Sequence, residues 1–351
     1  MTLFCTRSVL ISIIVFTVMF TGCSCDLFYD GGRASGVCIM SYNVQLLFDS
    51  VDHGDEYSPF TLEEGYSHSL YHRRLESLAR ALTQNHHTDP DIIVLQEVEN
   101  DTVVRDLLSS YLQKRGYSYY VVSDDPLSPI EVAVISRFEI VDAHIHGVHQ
   151  QRPILETVIN VEGETIRLFA LHLRSQRDGF EESEPERLQS IRALRAIIER
   201  YDSAGIPLPC IIAGDFNESV TDYEKHGGSI QTALIPHAAA ISESDELSSG
   251  SLVITGGIVN DGTWYTFYLD SDQMNTLSVP GSYYYQGVWE SFDHILLSKE
   301  FFDGIGLQFE KGGIKDAPLL LDEKGLPLRY DPYGHEGFSD HLPVYVQLSI
   351  N

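Results

Sequence analysis

Residues 209–217 read Pro209-Cys210-Ile211-Ile212-Ala213-Gly214-Asp215-Phe216-Asn217. The unbroken apolar run after Pro209 predicts a strand buried on both faces, with the polar residues Asp215 and Asn217 at its end, where a loop can present them. The pattern recurs upstream, where the run from Asp91 to Leu95 ends in Gln96-Glu97-Val98. Four more segments place polar side chains at the ends of strand-like runs. They are Ser41-Tyr42-Asn43-Val44, Leu171-His172-Leu173-Arg174-Ser175, Phe292-Asp293-His294-Ile295 and Ser339-Asp340-His341-Leu342-Pro343.

Around these segments the periodicity alternates between strand and helix. Strands are predicted at Val37–Val44, Tyr117–Ser123, Glu131–Ser136, Phe138–Ile145, Ile154–Val161, Thr165–Leu171, Trp264–Leu269, Ser282–Tyr285, Phe292–Ser298 and Val344–Leu348. Leu75, Leu78, Ala79 and Leu82 give a helix over Leu70–Leu82; a second is predicted over Asp101–Arg115. Leu188, Ile191, Leu194 and Ile198 mark the clearest helix, Glu184–Tyr201. Thr221 to Gly262 reads as irregular, with one short helix near Ile230. Several strands are consecutive, which predicts two packed mixed sheets flanked by helices, an α/β (α+β) class, instead of a doubly wound parallel sheet.

The 351-residue chain carries a formal charge of −28. Such a chain is no passive polyanion binder, because nucleic-acid contacts rest on Lys and Arg. It can still be an enzyme that meets phosphate through a bound cation, and the acidity otherwise serves solubility. Before Asp26 the only charge is Arg7, followed by the apolar stretch Val9 to Phe20. That is the pattern of an export signal over residues 1–22, too short to span a bilayer comfortably. Phe20-Thr21-Gly22-Cys23 resembles a bacterial lipobox, with Phe20 where Leu, Val or Ile is usual. It implies lipidation at Cys23, a tether over 23–36, a folded domain over 37–351, and a membrane-anchored lipoprotein of the cell envelope. Cys38 and Cys210 lie in apolar runs and are expected to be buried thiols; nothing resembles a disulfide framework.

The six segments, in this order, resemble the motifs of the endonuclease/exonuclease/phosphatase superfamily. Its members include deoxyribonuclease I-like nucleases, apurinic endonucleases, neutral sphingomyelinases and inositol polyphosphate 5-phosphatases. The resemblance covers about Val37 to Leu348. Arg152-Pro153-Ile154-Leu155, Glu184-Pro185-Glu186-Arg187 and Gly281-Ser282-Tyr283-Tyr284-Tyr285 before Trp289 resemble a bacterial secreted branch. The resemblance implies a four-layer α/β/β/α sandwich and a metal-dependent phosphoesterase that cleaves phosphodiesters, a nuclease before a sphingomyelinase-type phospholipase C or an inositol phosphatase. A monomer is expected. A binding lipoprotein without chemistry is disfavoured, since each position such a protein would have lost is intact.

Phosphodiester hydrolysis needs a neutralised phosphate, an activated water and a supported leaving oxygen. Glu97, Asn43 and Asp340 offer hard oxygen donors suited to Mg²⁺ or Mn²⁺. By resemblance Glu97 is the central ligand, Asn43 helps directly or through water, and Asp340 completes the set. Asp215 would orient or deprotonate the attacking water, with Asn217 fixing its geometry and donating to phosphate. Asp293 would hold His341 in one tautomer, and His172 would donate to a phosphate oxygen. Arg174 and Arg187 are candidate phosphate clamps, Arg187 being equally a surface helix charge. Gln45 stands where some nucleases carry Asp, which weakens a second-metal reading.

Other signals read as structural. His144, His146 and His149 fit a half-exposed strand better than a metal site. Asp49, Asp52, Asp55 and Glu56 lack the spacing of a calcium loop and are expected to be solvated. Tyr283, Tyr284, Tyr285, Trp264 and Trp289 could stack bases but fit strand-core aromatics first.

Overall fold

Ile39, Met40 and Ser41 of the first strand pair in parallel with Ile92, Ile93 and Val94 of the second, and both segments are apolar enough to be covered on two faces. The computed structural model describes residues 36–54, 56–83, 89–125, 128–240 and 250–350. The expected signal, tether and Cys23 lie outside the described residues.

The first eight strands are β1 (Gly36–Leu47), β2 (Ile92–Val98), β3 (Tyr119–Val122), β4 (Glu131–Ser136), β5 (Glu139–Val148), β6 (Gln151–Val161), β7 (Glu164–His172) and β8 (Cys210–Asp215). The remainder are β9 (Leu234–Pro236), β10 (Leu252–Thr255), β11 (Thr263–Tyr265), β12 (Tyr283–Tyr285), β13 (Val288–Glu290), β14 (Asp293–Leu297), β15 (Leu307–Ile314) and β16 (Val344–Ile350). One sheet runs β15-β16-β1-β2-β4-β3 and a second runs β5-β6-β7-β8-β14-β11-β10-β9, while β12 and β13 form a hairpin. Central strands β1 and β2 pack on β8, and β4 packs on β7, so one apolar core fills the space between the sheets. Helices α1 (His68–Leu82) and α2 (Asp101–Leu107) pack on each other, with α2 against β3; α3 (Phe180–Ser203) packs on β5 and β6. The expected sandwich of two mixed sheets with flanking helices is the observed fold.

The differences are local. The helix expected over Asp101–Arg115 is α-helical to Leu107, then widens into a π turn and closes as a 3-10 turn at Arg115. Among its described residues Thr221 to Gly262 contains β9 and β10, and the short helices there are Asp222–Lys225 and His237–Ala240, not one at Ile230. The strand expected over Trp264–Leu269 stops at Tyr265, and Phe267–Leu269 is a 3-10 turn capped by the Thr266 side chain. β15 and β13 carry no strand signature in the sequence and were not expected. Asp49 is buried, so the acidic loop is not wholly solvated. His146 and His144 sit on β5 and pair with Glu156 and Asp142, as a half-exposed strand allows. Cys210 is buried and Cys38 half-buried, and neither is in a disulfide among the described residues.

Candidate active site

Strand register places the chemistry. β7 runs parallel to β8 with His172 beside Asp215, and β14 runs antiparallel to β8 with Asp293 on the other flank of Asp215. Three polar side chains thus stand in one row at the end of the second sheet. Gly214 makes the row possible: a Cβ there would come within 1.9 Å of the Leu171 carbonyl oxygen and force β7 off β8. At the same end of the first sheet, Asn43 is paired with Gln96, but Glu97 is passed over in both β2 ladders. This is a bulge, with Glu97 at a φ of 63°. A bulge turns a side chain that would continue the pleat out of the ladder, here into the cleft.

Asn43 ties the two sheets together. Its Nδ2 donates to Glu97 Oε1 at 3.2 Å and to Asp215 Oδ2 at 2.9 Å. The Leu46 amide donates to Glu97 Oε2 at 3.0 Å. His341 follows the loop that closes on β1, and its Nδ1 lies 2.7 Å from Asp293 Oδ2. His341 Nε2 is 3.9 Å from Asp215 Oδ2, and His172 Nε2 is 3.6 Å from the same oxygen and 4.0 Å from Glu97 Oε1. The Asn217 amide donates to Asp215 Oδ1 at 2.8 Å, and its side chain donates to the Leu173 carbonyl. Glu97, His172, Asp215, Asn217, Asp340 and His341 line one cleft of about 890 Å³.

Burial shapes the titration of this group. It would depress His341, but the charge and hydrogen bond of Asp293, with Asp215 and Asp340 behind, outweigh it and raise the imidazole to about 10. His172 goes the other way: burial, with Arg152 and His341 nearby, holds it well below the ordinary histidine range, so it is neutral. Burial raises Asp215, opposed by His341 and reinforced by Asp293. Burial and the Asp340 charge raise Glu97.

Asp215, Asp293 and His341 also present ligand atoms within 4.8 Å of one another. His341 Nδ1 is already engaged by Asp293, so this trio is a relay in which Asp293 and His341 are hydrogen-bonded and Asp215 stands 3.9 Å beyond. Glu97 and Asp340 are different: both are about one-fifth exposed to the cleft, and each carboxylate presses on the other's charge. Two mutually repelling oxygen donors open to solvent fit a hard cation.

Of the two arginines expected at phosphate, the structure puts only Arg174 in the cleft, exposed and beside Asp178 and Glu186. Arg187 is a correction. It is fully buried on α3, and its N–H groups are spent on Glu184, Ser183 and the carbonyls of Arg174 and Phe180. It holds the Arg174 backbone and cannot reach a phosphate. Arg152 and Gln45 are among the cleft residues to which the sequence motifs gave no role. Arg152 lines the cleft and donates to the carbonyl of Leu173 at 3.2 Å, which braces the His172 turn. Its signal was a charge before a proline inside an apolar strand. Gln45 lines the cleft too; its Oε1 accepts from the amides of Tyr330 and Asp340, and its Nε2 donates to the Tyr330 carbonyl. The aromatics divide: Tyr283 stacks on Phe292 and packs at a tilt on His341, Tyr285 is exposed beyond it, and Trp264 is core.

No curated protein matches the chain in sequence. Solved structures share its fold. ANGEL2, a 2',3'-cyclic phosphatase, is 17% identical over 89% of this chain and 95% of its own, with a TM-score of 0.54. The human nocturnin catalytic domain is 16% identical over 90% and 95%, with a TM-score of 0.51. TDP2 from Caenorhabditis elegans is 14% identical over 90% and 74%, with a TM-score of 0.52. A sequence profile of the Endonuclease/Exonuclease/phosphatase family matches residues 38–234, which carry Asn43, Glu97, His172, Asp215 and Asn217. On that match the chain belongs to the Endonuclease/Exonuclease/phosphatase family and is a phosphoesterase, one of a group of divalent-metal-dependent hydrolases.

Proposed function

We propose that the protein is a Mg²⁺- or Mn²⁺-dependent phosphodiesterase that cleaves nucleic acid as a nuclease. The observation that carries the reading is the lining of the cleft. Arg152, Arg174, Arg177 and Arg329, from three segments of an acidic chain, line the cleft, and Tyr57 and Tyr333 line it with exposed rings. Guanidinium groups match phosphate oxygens, and exposed rings stack on bases without regard to sequence. A lone phosphomonoester would need fewer of either.

Glu97 and Asp340 would hold the cation, with Asn43 directly or through water. The ion supplies charge neutralisation at the phosphate. Asp215, raised by burial, takes the proton of the attacking water, and Asn43 and the Asn217 amide fix its carboxylate. His341, protonated against Asp293, donates from Nε2 to a phosphate oxygen. Neutral His172 donates a hydrogen bond from Nε2 to a second, non-bridging oxygen, and the proton the leaving oxygen takes up is the one that His341 gives. Incubation with plasmid DNA, single-stranded DNA, RNA, sphingomyelin and inositol phosphates tests this. Chain cleavage of a nucleic acid, stopped by EDTA and restored by Mg²⁺ or Mn²⁺, is expected. Turnover of sphingomyelin or inositol phosphate alone overturns it.

We also propose export and anchoring through Cys23, on the apolar run before it. Cys23→Ala should move the protein from the membrane to the soluble fraction with its specific activity intact. Wild-type protein without acyl modification at Cys23 overturns the anchor.

A further inference from the structure

The loop after β1 and the residue after β2 bring Asp49, His53 and Glu99 together, on the side of β2 that leads into α2. One ligand atom from each lies within 4.8 Å of the others. Asp49 and Glu99 are 4% and 8% exposed, and Asp49 is thus far from the solvated state expected of its loop. Glu99 Oε2 accepts the Asp49 amide at 2.6 Å, but Oε1 is buried with no hydrogen-bond donor. Asp49 Oδ1 is taken by the Val51 amide, and its Oδ2 has only Asn100 Nδ2 at 3.4 Å and His53 Nε2 at 3.5 Å. A buried carboxylate oxygen left without a donor is costly, and another carboxylate beside it adds repulsion. Only a proton or a cation removes both penalties.

We propose that Asp49, His53 and Glu99 form a second divalent-cation site, separate from the catalytic one, for a transition metal of the Zn²⁺ type. An imidazole nitrogen with two carboxylates suits Zn²⁺ and disfavours Mg²⁺, which takes oxygen. His53 is half exposed, so an ion can enter and leave. The ion would pin the loop that carries Tyr57, which packs edge-on to Phe48 and lines the catalytic cleft. It is a clip that sets one wall of the cleft and takes no part in bond breaking.

The test uses the full chain with Glu97→Ala, so that the catalytic ligand does not contribute. The metal-free protein is titrated with Zn²⁺ against a chromophoric competitor, and its thermal unfolding is followed with and without Zn²⁺. A stabilising equivalent is expected, because an ion that binds only the folded state raises Tm. Adding His53→Ala, at a half-exposed position that leaves no buried void, should weaken that equivalent more than about tenfold and remove the Tm rise. Zn²⁺ bound equally well by the His53→Ala protein overturns the site. Absence of Zn²⁺ binding in the parent also overturns it, and leaves Glu99 holding a proton.

Discussion

Asp293 Oδ2 stands 2.7 Å from His341 Nδ1, and Asp293 is fully buried. A carboxylate so placed fixes the tautomer and keeps the imidazole protonated. Asp293→Asn keeps the shape and removes the charge. The expected result is a fall in kcat of about 10²–10⁴-fold, the range for disabling a general acid–base group. His341→Ala added to it should cost little more than the worse single change, since residues acting as a unit are not additive. Steady-state rates of the three variants check this; effects that multiply would show that the pair is not a unit.

Glu97 pays for its aim in backbone conformation, at a φ of 63°. Glycine tolerates that region and alanine does not. Glu97→Gly is expected to be more stable than Glu97→Ala by about 1 kcal/mol, with both inactive. Urea unfolding checks the order; an equal pair, or a less stable Gly variant, removes strain from the account.

Arg174 and Arg187 should separate in kind. Arg187→Met leaves Glu184 and Glu218 buried without their cation, 2.6 and 3.6 Å from the vanished guanidinium. A loss of about 3–5 kcal/mol is expected, as for other broken buried pairs. Arg174 is exposed, so Arg174→Ala should change stability by less than about 0.5 kcal/mol. It should instead raise KM for the polymeric substrate. Unfolding and kinetics on the two variants, side by side, decide between clamp and brace.

Glu131 gives a pH dependence of stability far from the relay. It accepts from Ser123 Oγ and from the Asp125 amide, but burial, the strongest influence and only partly opposed by those bonds, raises its carboxyl from 4.5 to about 7. The folded state therefore binds the proton more tightly than the unfolded chain. Its contribution is fully present below pH 4.5 and is lost as pH rises through 7. Glu131→Gln keeps a bond to each partner and removes the titration. Its Tm should match wild type near pH 4 and exceed it above pH 7. Parallel Tm curves across that range would contradict the burial argument.

The strand ends were legible because burial on two faces leaves a continuous apolar run, and a polar residue just past it stands out. Asp215 and Glu97 were visible for that reason. β15 was not: its sequence, LQFEKGGI, mixes charges and two glycines, and it is held as a strand by the ladder to β16. β9 and β10 have three and four residues, too few for a period to register. Arg187 could be read either way, since a helix-borne arginine three residues after Glu184 looks the same as clamp or brace until burial is known. The gathering of Arg152, Arg174, Arg177 and Arg329 belongs to tertiary structure alone; in the sequence they are scattered charges.

The first strand of the domain pairs with the last: β1 lies between β2 and β16, with Gly36 opposite Ser349 and Ser41 opposite Val344. His341 and Asp340 immediately precede β16, while Asn43 lies on β1. A ribosome making this chain thus holds Asn43 and Glu97 long before Asp340 and His341 exist. Pairing between such remote segments is slow to form, because the intervening chain must first be closed into a loop. The centre therefore assembles only once β16, which follows His341, has been made and has paired with β1.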